Sequence, residues 1–143
     1  MRSVWGITCL LWASVGLFSG PLQIYAQACK DEVSMVDGSR QDLAGFTAEV
    51  KGESLSKFET LDHHKAAVSK LSTHDGMLGE LISCLDKAAQ DATLTKEDAA
   101  AAKTQHDTSV KLQAKIKQQY GLIKNAKTPS GAKALIGNLD FAP

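Results

Sequence analysis

Residues 77–89 have the sequence MLGELISCLDKAA, and this stretch decides the fold. Its apolar residues recur every three or four positions, which is typical of a helix. They form two adjacent stripes: Met77, Leu81, Cys84 and Ala88 in the first, and Leu78, Ile82, Leu85 and Ala89 in the second. At 100° per residue the eight positions cover an arc of about 160°, which is wider than contact with a single neighbour requires. We therefore expect this helix to pack against two others.

The same periodicity on both sides of this stretch predicts an all-α fold. Alternating apolar and polar runs are nearly absent from the rest of the chain. The pattern predicts three long helices and a short closing one, near residues 30–51, 54–91, 96–124 and 129–136. Thr95 and Thr128 are expected N-caps, with Pro129 at a first helical position. Asp75-Gly76 is a point where the second helix can kink or break. Short connections favour an up-down antiparallel bundle.

The first 28 residues have the layout of a secretory signal peptide. Arg2 precedes an apolar run of about 15 residues, and Ala26-Gln27-Ala28 supplies an A-x-A cleavage site. The apolar run is shorter than the roughly 20 residues of a transmembrane helix, and Pro21 ends it. We expect cleavage after the A-x-A site. The product would be one exported helical domain, residues 29–143, periplasmic or secreted and without a transmembrane segment.

Two cysteines remain after this cleavage, and an oxidising compartment favours a bond between them. The predicted disulfide is Cys29–Cys84. However, a turn centred near residue 53 puts Cys29 opposite position 77, about 10 Å short of Cys84. The bridge therefore requires a longer connection around residues 52–56 or a flexible start to the first helix. The alternative is a lipoprotein acylated at Cys29, although Ala26-Gln27-Ala28 matches that signal poorly.

The chain carries 16 basic and 16 acidic residues, which becomes a net charge of −1 once Arg2 is removed. This balance argues against specific nucleic-acid binding. The lysines are nevertheless concentrated, because residues 108–139 contain six lysines and no acidic residue. Five of them are candidates for contact with an anionic surface or polymer: Lys111, Lys115, Lys117, Lys124 and Lys127. The alternative is a solvated face whose lysine stems cover apolar edges.

The sequence contains no motif for catalysis. HExxH, GxSxG and glycine-rich phosphate loops are all absent, so we expect neither enzymatic activity nor a cofactor. A soft-metal site built from His74, Met77 and His106 is a second hypothesis, with copper as its ion. We favour exposed histidines and a core methionine instead, because the spacing is not that of a metal motif.

The sequence therefore predicts an exported, non-enzymatic helical bundle that acts as a binding or structural module through its lysine-rich third helix. Two alternatives stay open. One is a metal-binding bundle, and the other is a coiled-coil-like structural protein that self-associates through its apolar stripes.

Overall fold

The computed structural model describes residues 28–142, and these residues form five helices and no strand. The helices are α1 (Lys30–Gly52), α2 (Leu55–Thr60), α3 (His63–Ala89), α4 (Lys96–Lys124) and α5 (Pro129–Ile136). The all-α prediction is therefore confirmed. The predicted signal peptide lies outside the described residues, apart from Ala28 at its end.

The helix starts follow the capping residues that the sequence supplies. The side-chain hydroxyls of Thr95 and Thr128 accept hydrogen bonds from backbone N–H groups in the first turns of α4 and α5, as predicted. Ser54 caps α2 in the same way. Each such bond satisfies a donor that the helix itself leaves unpaired. These caps fix where three of the five helices begin.

The predicted second helix, residues 54–91, is two helices in the structure. Asp62 separates α2 from α3 and adopts a left-handed conformation with φ 52°. Such a residue ends the hydrogen-bonded ladder of a right-handed helix. In contrast, α3 continues without interruption through Asp75-Gly76, although the sequence allows a kink or break there.

The core consists of buried residues that recur with heptad spacing along the helices, and α3 lies at its centre. Buried residues of α3 recur at alternating spacings of four and three: Ala67, Leu71, His74, Leu78, Leu81, Leu85 and Ala88. Buried residues of α4 recur every seven positions: Ala102, Ser109, Ile116 and Ile123. This spacing is that of helices packed side by side in a coiled coil. As expected, α3 packs against two long neighbours, α1 and α4.

Contacts between α1 and α3 show that the two helices run in opposite directions. Ser39 in the middle of α1 contacts His74, whereas Glu53, just after the end of α1, contacts His63 at the start of α3. The short helix α2 lengthens the connection between α1 and α3. The centre of the chain reversal therefore lies near residue 57 and not near residue 53, as the sequence analysis assumed. Cys29 therefore faces Cys84 instead of position 77. Their sulfur atoms lie 2.10 Å apart, which is the predicted disulfide.

The two ends of the helix assembly are closed differently. At the end away from the disulfide, α5 contacts α1, α2 and α4, and the side chains of Phe58 and Ile136 are buried there. At the disulfide end, the connection from α3 to α4 extends beyond Cys29. A small separate cluster holds this tip together, with Ala88 and Ala102 buried and Leu94 half-buried.

Candidate functional site

The candidate lysines, referred to below as the α4 lysines, lie along α4 and just after it. They are Lys111, Lys115, Lys117, Lys124 and Lys127. Four are exposed, and Lys115 is half-buried. Lys111 and Lys127 make no hydrogen bond or ion pair with any residue in the described part of the chain. Their charges are therefore available to an external anion.

Lys115 is engaged by the C-terminal segment of the chain. Its Nζ donates to Asp140 Oδ2 at 3.0 Å and to the carbonyl oxygen of Ala142 at 2.6 Å. One turn further on, the Gln119 side-chain amide pairs with both the N–H and the carbonyl of Asp140, at 2.8 and 2.9 Å. These bonds hold the segment after α5 against one flank of α4. Lys115 therefore contributes to this docking.

Lys117 and Lys124 lie on the other flank of α4. The Nζ of Lys117 is 3.9 Å from Asp75 Oδ1 on α3, and the side chain is 59% exposed. An ion pair of that length at an exposed position contributes little to stability. The Nζ of Lys124 lies 5.5 Å from the centre of the Tyr120 ring. The first four of the α4 lysines therefore line two flanks of one helix, and Asp140 and Asp75 partly neutralise Lys115 and Lys117.

Comparison of the chain with protein-family models, with curated proteins and with solved structures finds no match. The role of the α4 lysines is therefore inferred from their own chemistry.

None of the five helices in residues 28–142 combines the length and the hydropathy of a membrane-spanning segment.

The structure does not bring His74 and His106 together. Gln113 donates to the backbone carbonyl of Asp75, so this part of α4 is level with His74. His106 lies two turns before Gln113 and pairs with its own neighbour Asp107 at 3.0 Å. Met77 is half-buried against the main core. His106 therefore lies apart from His74, and the two histidines do not form one site.

His74 is fully buried in the middle of α3. Its Nδ1 lies 3.0 Å from Ser39 Oγ, and its Nε2 has no hydrogen-bond partner in the described chain. Burial lowers the pKa of His74, and the nearby positive charge of Arg40 lowers it further, against a smaller opposing effect of Asp75. The imidazole is therefore held neutral inside the core, beside the Ser39 hydroxyl.

The burial of neutral His74 predicts a loss of stability in acid. The folded pKa of His74 is below the unfolded value of about 6.5, so the unfolded chain binds the proton first. As pH falls below about 6.5, the free energy of unfolding should fall by up to about 1.4 kcal/mol per pH unit until the folded pKa is reached. Urea denaturation between pH 8 and pH 5 measures this slope. His74→Leu should flatten it, and an equal slope in that variant would contradict the assignment.

A cluster that the sequence analysis missed lies where α1 ends. The carboxylate of Glu53 accepts a hydrogen bond from His63 Nδ1 at 2.8 Å, and Lys57 Nζ lies 3.3 Å from its other oxygen. Burial raises the pKa of Glu53, but the hydrogen bonds and charges of His63 and Lys57 outweigh this and lower it overall. The group is therefore a carboxylate at neutral pH. Only the turn made by α2 brings these residues together, and no local spacing in the sequence indicates it.

Proposed function

We propose that the protein is an exported, non-enzymatic binding module that contacts an anionic polymer through the α4 lysines. Its architecture would be an up-down antiparallel bundle of three long helices closed by the short α5. The observation that carries the proposal is the exposure of Lys111, Lys117, Lys124 and Lys127 along a segment that contains no acidic residue. Only Asp75 and Asp140, from elsewhere in the described chain, pair with any of the α4 lysines.

Burial of the apolar face of α4 favours a polymer over insertion into a lipid bilayer. Ile116 and Ile123 are fully buried, and Leu112 and Tyr120 are packed against the core. An interfacial helix binds lipid by burying that face between the headgroups. In this fold the face is already occupied by α3 and its neighbours. Attraction through the lysine charges is the interaction that remains.

Export is supported by the contact between Cys29 and Cys84. A disulfide between them persists in an oxidising compartment, and it leaves no thiol on Cys29 for a lipid. We therefore favour a soluble periplasmic or secreted domain over a lipoprotein. N-terminal sequencing of the exported protein should begin at Cys29. A blocked, acylated N-terminus would contradict this part of the proposal.

Binding to fluorescently labelled heparin, measured from 20 to 300 mM NaCl, tests the polymer contact. The wild-type protein should bind at low salt and lose affinity steeply as salt rises, because each lysine contact releases counterions. Replacing the five α4 lysines with glutamine should abolish the salt-sensitive binding.

A matched control separates the α4 lysines from net charge. Five exposed lysines elsewhere in the chain can be replaced with glutamine together: Lys30, Lys51, Lys65, Lys87 and Lys96. This variant has the same net charge as the first and should keep most of the affinity. Equal loss in both variants, or unchanged heparin binding in the α4 variant, would refute the proposal. So would binding to anionic lipid vesicles without binding to heparin.

A further inference from the structure

Three metal-ligating side chains converge where α1 ends and α3 begins. They are Glu49, Glu53 and His63, and one donor atom from each lies within 4.8 Å of the other two. Glu49 lies in the last turn of α1 and Glu53 is its C-cap residue, and their carboxylates lie on one face of this helix end. His63 is the first residue of α3 and returns to this face because α2 reverses the chain. The set offers two carboxylates and one imidazole.

Two aromatic side chains fix the orientation of the imidazole. Phe46 and Phe58 make edge contacts with the His63 ring, with centroid distances of 5.2 and 6.1 Å. The His63 side chain is only 11% exposed. The ring is therefore oriented before any ligand arrives, which lowers the entropic cost of binding.

The Glu53 carboxylate is buried but incompletely satisfied. Its side chain is 3% exposed, and the partner of its Oε1 within the described chain is the ammonium group of Lys57, at 3.3 Å and without good hydrogen-bond geometry. The cation nearest to that oxygen is Lys57 Nζ, whose side chain is 57% exposed. A buried carboxylate oxygen that is paired only with an exposed lysine is incompletely compensated for its loss of water, and coordination to a metal cation is a stronger way to satisfy it. Lys57 can move into solvent when such a cation binds.

We propose that Glu49, Glu53 and His63 form a binding site for a divalent transition-metal ion, with zinc as the best fit. Zinc accepts carboxylate and imidazole ligands together and is stable with three protein ligands and one water. Calcium and magnesium prefer more ligands, all of them oxygen atoms. The bound ion would link the end of α1 to the start of α3. This site is distinct from the His74, Met77 and His106 set considered above and does not depend on the polymer contact.

The rival explanation is a purely structural ion pair of Glu53 with His63 and Lys57. The two explanations differ in the role of Lys57. In a metal site the ammonium group competes with the ion for Glu53, so Lys57→Gln should increase zinc affinity severalfold. In a structural ion pair there is no zinc affinity to increase, in the wild-type protein or in the variant.

Isothermal titration calorimetry of the purified exported protein with zinc chloride at pH 7.5 tests the site. We expect one zinc ion per chain and a rise in melting temperature with zinc concentration. Glu49→Gln should weaken binding by at least about tenfold, since it removes one of three protein ligands. Glu49 is exposed, so this variant should retain the fold, as judged by circular dichroism.

Two histidine variants complete the test. His63→Ala should abolish stoichiometric binding, whereas His106→Ala should leave it unchanged, because His106 belongs to α4 and pairs with Asp107. Absence of stoichiometric binding in both wild-type and Lys57→Gln proteins would overturn the proposal. Binding that survives Glu49→Gln and His63→Ala but is lost in His106→Ala would also overturn it.

Discussion

Replacing both Cys29 and Cys84 with alanine is expected to lower the free energy of unfolding by about 4 kcal/mol. The bond joins residues separated by 55 positions, so its removal frees a large loop in the unfolded chain. Since the Cys29 side chain is buried, the packing around it will loosen as well. For a domain of this size we expect a fall in melting temperature of about 15 °C, measurable by circular dichroism.

A reductant supplies the control for this prediction. The wild-type protein should melt at a lower temperature when a phosphine reductant is added, whereas the double alanine variant should not respond. The two reduced states should then melt within a few degrees of each other. A double variant that melts like the oxidised wild-type protein would show that the bond contributes no net stability.

Phe58→Ala is the second change with a large expected effect. Phe58 is the one buried residue of α2, with 1% of its surface exposed, and it packs against His63. Its truncation leaves a cavity under α2 and should cost about 3–5 kcal/mol of unfolding free energy, measured by urea denaturation. Because α2 sets the length of the turn, this loss would affect the alignment of α1 on α3.

Leu61→Ala is the matched control for Phe58→Ala. Leu61 follows α2 immediately and is 47% exposed, so its truncation should cost less than about 1 kcal/mol. The large difference between the two variants is the expected result. Similar small losses in both would mean that α2 is a loosely held linker and does not fix the turn.

The sequence predicted the helices whose ends are determined locally. Thr95 and Thr128 cap the helices that they were expected to cap, because an N-cap bond depends only on residues within one turn. The apolar arc of α3 likewise predicted two neighbours. Periodicity reports which face of a helix is buried, and that information is present in any single helix.

The break at Asp62 could not be predicted in the same way. Leu55, Phe58 and Leu61 continue the helical spacing of α3, so their pattern alone favours one long helix. The break depends on contacts between distant residues, such as the bond from His63 to Glu53. For the same reason the sequence misplaced Cys29 opposite position 77, although it paired the two cysteines correctly.

The candidate sites were likewise predictable only where their residues lie close together in the sequence. The lysine-rich character of α4 is visible in the sequence, but its neutralising partners come from distant positions, Asp75 on α3 and Asp140 after α5. Glu49 and Glu53 are visible as a pair one turn apart. Their approach to His63 requires the reversal of the chain at α2, which the sequence analysis did not find.

The tip formed by the end of α3 and the start of α4 differs in local stability from the main core. Its small cluster around Ala88 and Ala102 is separate from the main core and consists mostly of alanine. Alanine buries little apolar surface, so opening this tip breaks few apolar contacts. The buried residues of α3 from Ala67 to Leu85 stay packed. We therefore expect the tip to open at a lower free energy than the main core does. Hydrogen exchange should accordingly be faster in the first turn of α4 than in the middle of α3.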